Sequence, residues 1–109
     1  MLRKWSGDDK SCFLQVKSFE VSPRGLEFVL HGFGRKKVFD LNEIRFVRVK
    51  KVFSLYDELM FWVVGNEKYS FTDAVTGFQL FSTKANLEEK LGREWYARAE
   101  RGEELEYRH

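Results

Sequence analysis

The spacing of apolar residues changes between residues 69 and 91, and this change constrains the fold more than any other feature. Tyr69 and Phe71 alternate with polar neighbours, as in a β-strand. Farther along, apolar residues recur at steps of three and four, as on one face of a helix. They are Phe78, Phe81 and Ala85, with Leu80, Leu87 and Leu91 beside them. Such a helix requires a sheet or a barrel end beneath its apolar face.

The sequence also predicts where this helix begins and ends. The side chain of Asp73 or Thr76 is expected to cap its first turn, because the first amides of a helix have no partner inside it. Gly92 is expected to end it, because glycine enters the left-handed conformation without a Cβ penalty.

Period-two segments at a spacing of about ten residues precede the helix and predict a sandwich or barrel. Strands are expected within residues 11–21, 26–30, 37–41, 44–53, 59–64 and 67–71. The first segment shows one shift of face, and the fourth breaks its alternation at Phe46-Val47 and at Lys50-Lys51. We interpret these two breaks as a bulge or a division into two strands, with strong curvature there.

Three short motifs lie at the ends of these segments: VSPRGLE at residues 21–27, DLNEIRFV at 40–47, and DAVTGF at 73–78 leading into Leu87 and Leu91. With the element order, they make residues 11 to 92 resemble the pleckstrin-homology-like (PH-like) fold, particularly its small bacterial versions. The resemblance implies a mainly β fold, a curved six- or seven-stranded antiparallel sheet or partly open barrel, closed by a C-terminal amphipathic helix. It also implies a binding or scaffolding module rather than an enzyme, with no single ligand.

Length and composition favour one folded domain. The chain has 109 residues, 43% of them hydrophobic and 17% aromatic, which is enough for one core and argues against disorder. We divide it into a loose N-terminal segment (1–10), the PH-like β domain with its closing helix (11–92) and a charged C-terminal helical extension (93–109).

Several classes of site are excluded by residue type. The single cysteine, Cys12, allows no disulfide within the chain, and with only His31 and His109 there is no Cys/His spacing for zinc. No apolar segment follows Met1 as in a signal peptide, and the longest apolar run, residues 59–64, is far shorter than the roughly 20 residues of a membrane span. We expect a cytoplasmic protein with no transmembrane segment.

Catalytic arrangements are equally sparse. His31 has no activated Ser or Cys in its sequence context, and the Gly32-x-Gly34 motif lacks the third glycine and the helix of a phosphate loop. The carboxylates of Asp57, Glu58 and Asp73 are explained by turn and cap roles. We expect no catalytic activity, no metal and no cofactor; an enzyme would need a deep pocket that gathers His31 with a carboxylate.

Basic residues are concentrated in one part of the chain, and they are the first candidate binding surface. Residues 33–53 carry seven basic residues against two acidic ones, although the whole chain has a formal charge of only +2. The seven are Arg35, Lys36, Lys37, Arg45, Arg48, Lys50 and Lys51. On adjacent strands they would form a stripe for an acidic protein, anionic headgroups or nucleic acid phosphates. The alternative is an ordinary solvated face, with lysines protecting a sheet edge.

The C-terminal extension is the second candidate. Trp95, Ala99 and Tyr96 form a short apolar stripe that Gly102 ends. Trp95 must dock on its own domain or on another chain, and packing within the chain is favoured. Two functions follow: a module that binds a protein partner or itself, and an electrostatic binder of anionic membrane or nucleic acid through the basic strands.

Overall fold

The structure is a computed structural model that describes residues 13–32, 34–52 and 58–109. The predictions for the segment 1–10 with Trp5, and those for Cys12, Phe33, Phe53 and the turn at 54–57, lie outside these residues.

The described residues form a mainly β fold, which confirms the expected fold class. In chain order the elements are β1 (Leu14–Ser22), β2 (Gly25–Leu30), β3 (Lys36–Val38), a 3-10 turn (Leu41–Glu43), β4 (Phe46–Lys51), β5 (Leu59–Val64), β6 (Lys68–Thr72), α1 (Phe78–Lys84), α2 (Leu87–Leu91), α3 (Trp95–Glu100) and β7 (Leu105–Arg108).

All seven strands belong to one sheet, in the order β3-β2-β1-β6-β5-β4-β7. Five of the neighbouring pairs are antiparallel, as expected, but β1 and β6 run parallel. A parallel pair needs a long connection, and here the chain between the two strands forms β2, β3, β4 and β5. The sheet is not closed: within the described residues, β3 and β7 are its two edges.

The core lies between the inner face of the sheet and the three helices. Alternate residues of the central strands point inward, and Val47, Val49, Phe61 and Val63 are fully buried there. Phe81 of α1 is also fully buried and stacks on Phe19 of β1, with 5.0 Å between ring centroids. Removal of this apolar surface from water is what holds the helices on the sheet.

The closing helix differs from the prediction in two ways. It is interrupted, because Asn86 has a positive φ of 55° and separates α1 from α2. Its N-cap residue is Gly77, with no side-chain cap hydrogen bond, so neither the Asp73 nor the Thr76 side chain caps the helix. Asp73 instead accepts hydrogen bonds from the Leu59 amide at 3.1 Å and the Tyr96 hydroxyl at 2.6 Å.

Gly92, with a φ of 100°, follows the last residue of α2, which confirms the predicted end of the helical stretch.

Strand β4 contains neither of the predicted breaks. Its register to β5 is continuous from the Phe46↔Val64 pair to the Lys51↔Leu59 pair. The alternation of apolar and polar residues is broken because an apolar residue, Phe46, lies on the outer face of a regular strand. It is buried there, and the Arg108 guanidinium lies 4.8 Å from its ring centroid. The irregularity lies in β1, where the register shifts between Val16 and Ser18. That shift confirms the change of face predicted in the first strand.

The segment 93–109 is only partly helical. Helix α3 ends before Gly102, whose φ is 100°, and the chain then forms β7 against β4. Leu105 is buried in the core, while Glu106 and Arg108 are exposed. The predicted helical extension therefore supplies the seventh strand.

Candidate binding surfaces

The fold separates the seven basic candidates into two groups. Arg35, Lys36 and Lys37 lie on or beside β3, at one edge of the sheet. The other four lie on or beside β4, five places away in the strand order and next to the opposite edge. The strands that carry them are not adjacent, so a single stripe across neighbouring strands does not form.

The first group forms what we call the β3 edge, residues Arg35, Lys36, Lys37 and Val38. All four are exposed, and Val38 keeps 41% of its surface accessible. Lys36 donates to a Glu20 carboxylate oxygen at 2.6 Å, and this hydrogen bond raises the pKa of Lys36. Arg35 and Lys37 have no ion-pair partner among the described residues. Their positive charges are therefore available to a ligand.

The backbone of the β3 edge is also available. The Phe39 amide donates to the Leu26 carbonyl at 2.7 Å, and the register pairs Lys37 with Phe28. In an antiparallel pair the groups that face the partner alternate along the strand. The N–H and C=O groups of Lys36 and Val38 therefore point away from β2, toward the open side.

A small groove adjoins the β3 edge at its Val38 end. It has a volume of about 80 Å³ and is lined by Val38, Phe39, Asp40, Ile44, Gly65, Asn66 and Tyr69. The rings of Phe39 and Tyr69 lie 4.8 Å apart between centroids, and burial raises the pKa of the Tyr69 hydroxyl. We call this space the β3 groove; apolar side chains such as Val38 and Ile44 line it together with polar groups, among them the Asp40 carboxylate.

Three of the four β4 basic residues have structural partners. Arg45 donates to the Gly65 carbonyl at 2.8 Å, and Lys51 donates to the Glu100 carbonyl at 3.0 Å. Arg48 forms an ion pair with Glu104, and its guanidinium lies 5.3 Å from the centroid of the Trp62 ring. Lys50 is exposed and has no ion-pair partner among the described residues. These residues hold the domain together more than they present charge.

Trp95 is placed within its own chain. It is 8% exposed, and its ring meets Phe61 edge-on at 5.9 Å between centroids. The neighbouring Tyr96 is 40% exposed and donates to Asp73. Trp95 thus packs in the core, as the intrachain alternative expects, and a partner cannot reach it without opening the domain.

A second, more open groove of about 230 Å³ contains His31. Its lining consists of Gln15, Val16, His31, Met60, Ser70, Phe71, Thr72 and Val75. It brings no carboxylate to His31, which an acid–base site would need. Among the described residues, no group of three His, Cys, Asp or Glu side chains is arranged to hold a metal ion.

The outer edge of β7 is a surface that is absent from the sequence-based predictions. The signal was present, because Leu105 and Tyr107 alternate with Glu106 and Arg108 at strand period. The predicted helical extension over residues 93–109 includes these residues. In the structure they pair with β4 from Phe46↔Arg108 to Val49↔Leu105, and the other side of β7 has no strand beside it within the described chain.

None of the helices in residues 13–32, 34–52 and 58–109 has the length and apolarity needed to cross a membrane. No family model, curated protein or solved structure matches this chain. Its function must therefore be argued from its own surfaces.

Proposed function

We propose that this chain is a non-catalytic module, PH-like in architecture, that binds an extended segment of a partner protein at the β3 edge. The single observation that carries the proposal is the open backbone of Lys36 and Val38 between exposed basic side chains and a groove lined in part by apolar side chains. Strand addition to a sheet edge uses main-chain hydrogen bonds for affinity and neighbouring pockets for specificity. The β3 edge offers both.

The chemistry of the partner segment follows from the charges beside this strand. Arg35 and Lys37 stand at one end without ion-pair partners among the described residues, so acidic side chains are favoured there. The β3 groove lies at the Val38 end and suits one small apolar side chain, while Asp40 at its rim disfavours a second acid. The segment should therefore combine acidic residues with a branched aliphatic residue, in extended conformation.

A peptide selection tests this function. A random peptide library displayed on phage is selected against the folded domain, and the enriched peptides are titrated into labelled protein while backbone amide signals are followed. We expect enriched peptides with Asp or Glu beside Val, Ile or Leu, and signal changes centred on Lys36 and Val38. Peptides that perturb only another surface would overturn the proposal.

Matched variants of basic residues give the control. Replacement of Arg35 and Lys37 together by Glu should weaken binding of the selected peptide at least tenfold, since attraction becomes repulsion at both positions. Lys50→Glu changes another exposed basic residue, near the other end of the sheet, and should leave binding unchanged. An equal loss in both variants would mean that only net charge matters.

That last outcome would favour the second function, an electrostatic binder of anionic membrane or nucleic acid. It is supported by three of the seven predicted basic residues, Arg35, Lys37 and Lys50, which are exposed and have no ion-pair partner in the described part of the chain. Binding to vesicles containing phosphatidylserine, or to a DNA duplex, should then fall steeply with salt, because phosphate binding releases counterions. A triple replacement of these residues by Gln should abolish it; binding that survives this change would eliminate the electrostatic function.

A further inference from the structure

The outer edge of β7 has a charge pattern that is complementary to itself. Its register with β4 and the hydrogen bond from the His109 amide to the Arg45 carbonyl, 2.9 Å, show which groups face inward. Leu105 and Tyr107 share the parity of His109 and so bond to β4, whereas the N–H and C=O groups of Glu106 and Arg108 point to the open side. A second strand can be added there.

The side chains of the two edge-facing residues carry opposite charges on the outer face of the sheet. Glu106 and Arg108 keep 42% and 51% of their side-chain surface accessible. Within the chain they form an ion pair at 3.5 Å, and the Arg108 guanidinium lies 4.8 Å from the centroid of the Phe46 ring. Both charges can therefore meet a partner strand.

We propose that β7 pairs antiparallel with β7 of a second copy of this chain, about a two-fold axis through Tyr107. In this register Glu106 of each copy faces Arg108 of the other, and the edge-facing backbone groups of both residues are matched. A shift by two residues would place Glu106 opposite Glu106, or Arg108 opposite Arg108. Like charges directly opposite each other are unfavourable in a sheet, so the charge pattern selects one register.

The symmetry of the pairing is the kind expected for a dimer. A two-fold interface uses the same patch on both subunits, which requires a surface that complements itself. The half-buried Tyr107 would meet its counterpart on the inner face, in a pair without hydrogen bonds, where side chains come closest. Because β7 has only four residues, the dimer is expected to be weak and its population to depend on protein concentration. Charged side chains usually prevent unwanted pairing at a sheet edge. Here Glu106 and Arg108 would disfavour other strands but attract a second copy of β7.

This inference goes beyond the proposed function, since it concerns a different strand at the opposite edge. Sedimentation equilibrium from micromolar to near-millimolar protein tests it with three samples. The wild-type chain should associate to a dimer as concentration rises. Glu106→Arg gives a chain with two basic residues at this edge, and Arg108→Glu a chain with two acidic ones, so each should remain monomeric alone. Mixed in equal amounts, the two variants should form a heterodimer, because opposite charges face each other again.

The mixing experiment distinguishes charge register from a general loss of structure. Circular dichroism of each variant checks its fold. If either charge-reversed variant is unfolded, the neutral variants Glu106→Gln and Arg108→Gln are used in its place, and each should weaken the dimer without abolishing it. A wild-type chain that is monomeric at all concentrations, or a mixture that stays monomeric, would overturn the inference. Peptide binding at the β3 edge should be the same in all β7 variants, so failure here leaves the proposed function standing, and the reverse also holds.

Discussion

Phe81→Ala is the perturbation that tests the architecture most deeply. Phe81 is fully buried and contacts Phe19, Phe39 and Phe71, with ring centroids at 5.0, 5.5 and 5.0 Å. Truncation of a buried Phe removes its apolar surface from the core and leaves a cavity, which costs roughly 3–5 kcal/mol. The magnitude should lie in the upper part of this range, because three aromatic contacts are lost together.

Urea unfolding followed by circular dichroism measures this loss as a shift of the midpoint at constant slope. Leu80→Ala is the matched control: it lies on the same helix, Leu80 is 38% exposed, and the expected loss is under about 1 kcal/mol. If Phe81→Ala is too unstable to measure, Phe81→Leu should show a smaller loss that still exceeds the control. A loss at Phe81 no larger than that at Leu80 would show that α1 does not close the core.

Two further predictions concern single sites. Gly77→Ala should lower the free energy of unfolding by more than about 2 kcal/mol, because φ is +82° and the new Cβ would lie 2.0 Å from the Phe19 carbonyl oxygen. Gly102→Ala is the control: its φ is +100° but no atom lies within 4 Å of the new Cβ, so the loss in the same unfolding assay should be only about 1–2 kcal/mol. The hydrogen bond to Asp73, aided by burial, raises the pKa of Tyr96 to about 12. The stability from this bond should be complete below the ordinary tyrosine pKa of about 10 and be lost as pH rises toward the folded value. Tyrosinate absorbance should show this late titration in the wild type and not in Tyr96→Phe; a Tyr96 that titrates with the ordinary pKa would contradict it.

The fold could be predicted where apolar residues mark the buried side of an element. This holds for β2, where Leu26, Phe28 and Leu30 alternate and are buried, and for the apolar face of the helix that contains Phe81. It also holds for β5, whose continuous apolar run leaves no residue exposed on either face. It failed where burial did not follow period. Phe46 is buried on the outer face beneath Arg108, so an unbroken strand carries a sequence that appears broken.

The predicted N-cap of the helix is wrong for a different reason: other groups compete for the Asp73 side chain. Asp73 has the side chain of an N-cap, but its two oxygens are held by the Leu59 amide and the Tyr96 hydroxyl. Both partners are distant in sequence, so no local pattern predicts them. Gly77 begins the helix instead, where the close approach of Phe19 leaves no room for a side chain.

Residue type predicted which side chains belong to the candidate site, but it did not predict how the fold arranges them. The basic residues at positions 35 to 37 are exposed as expected, but the sheet order that separates them from Arg48 and Lys50 depends on long-range pairing. The parallel pairing of β1 with β6 decides that order, and only two residue pairs define it. Trp95 is a candidate binding residue by type, but packing within the chain is the favoured alternative, and the structure places it in the core.

Amide hydrogen exchange resolved by residue is the most direct test of the claim that the sheet ends in two open edges that can bind. In dilute protein, Lys36 and Val38 should exchange much faster than Lys37 and Phe39, whose amides bond to β2. Glu106 and Arg108 should exchange rapidly when dilute and become protected as the protein is concentrated. Slow exchange at the amides of all four residues from 36 to 39 in dilute protein would contradict the account. So would an exchange rate at Glu106 and Arg108 that does not depend on protein concentration.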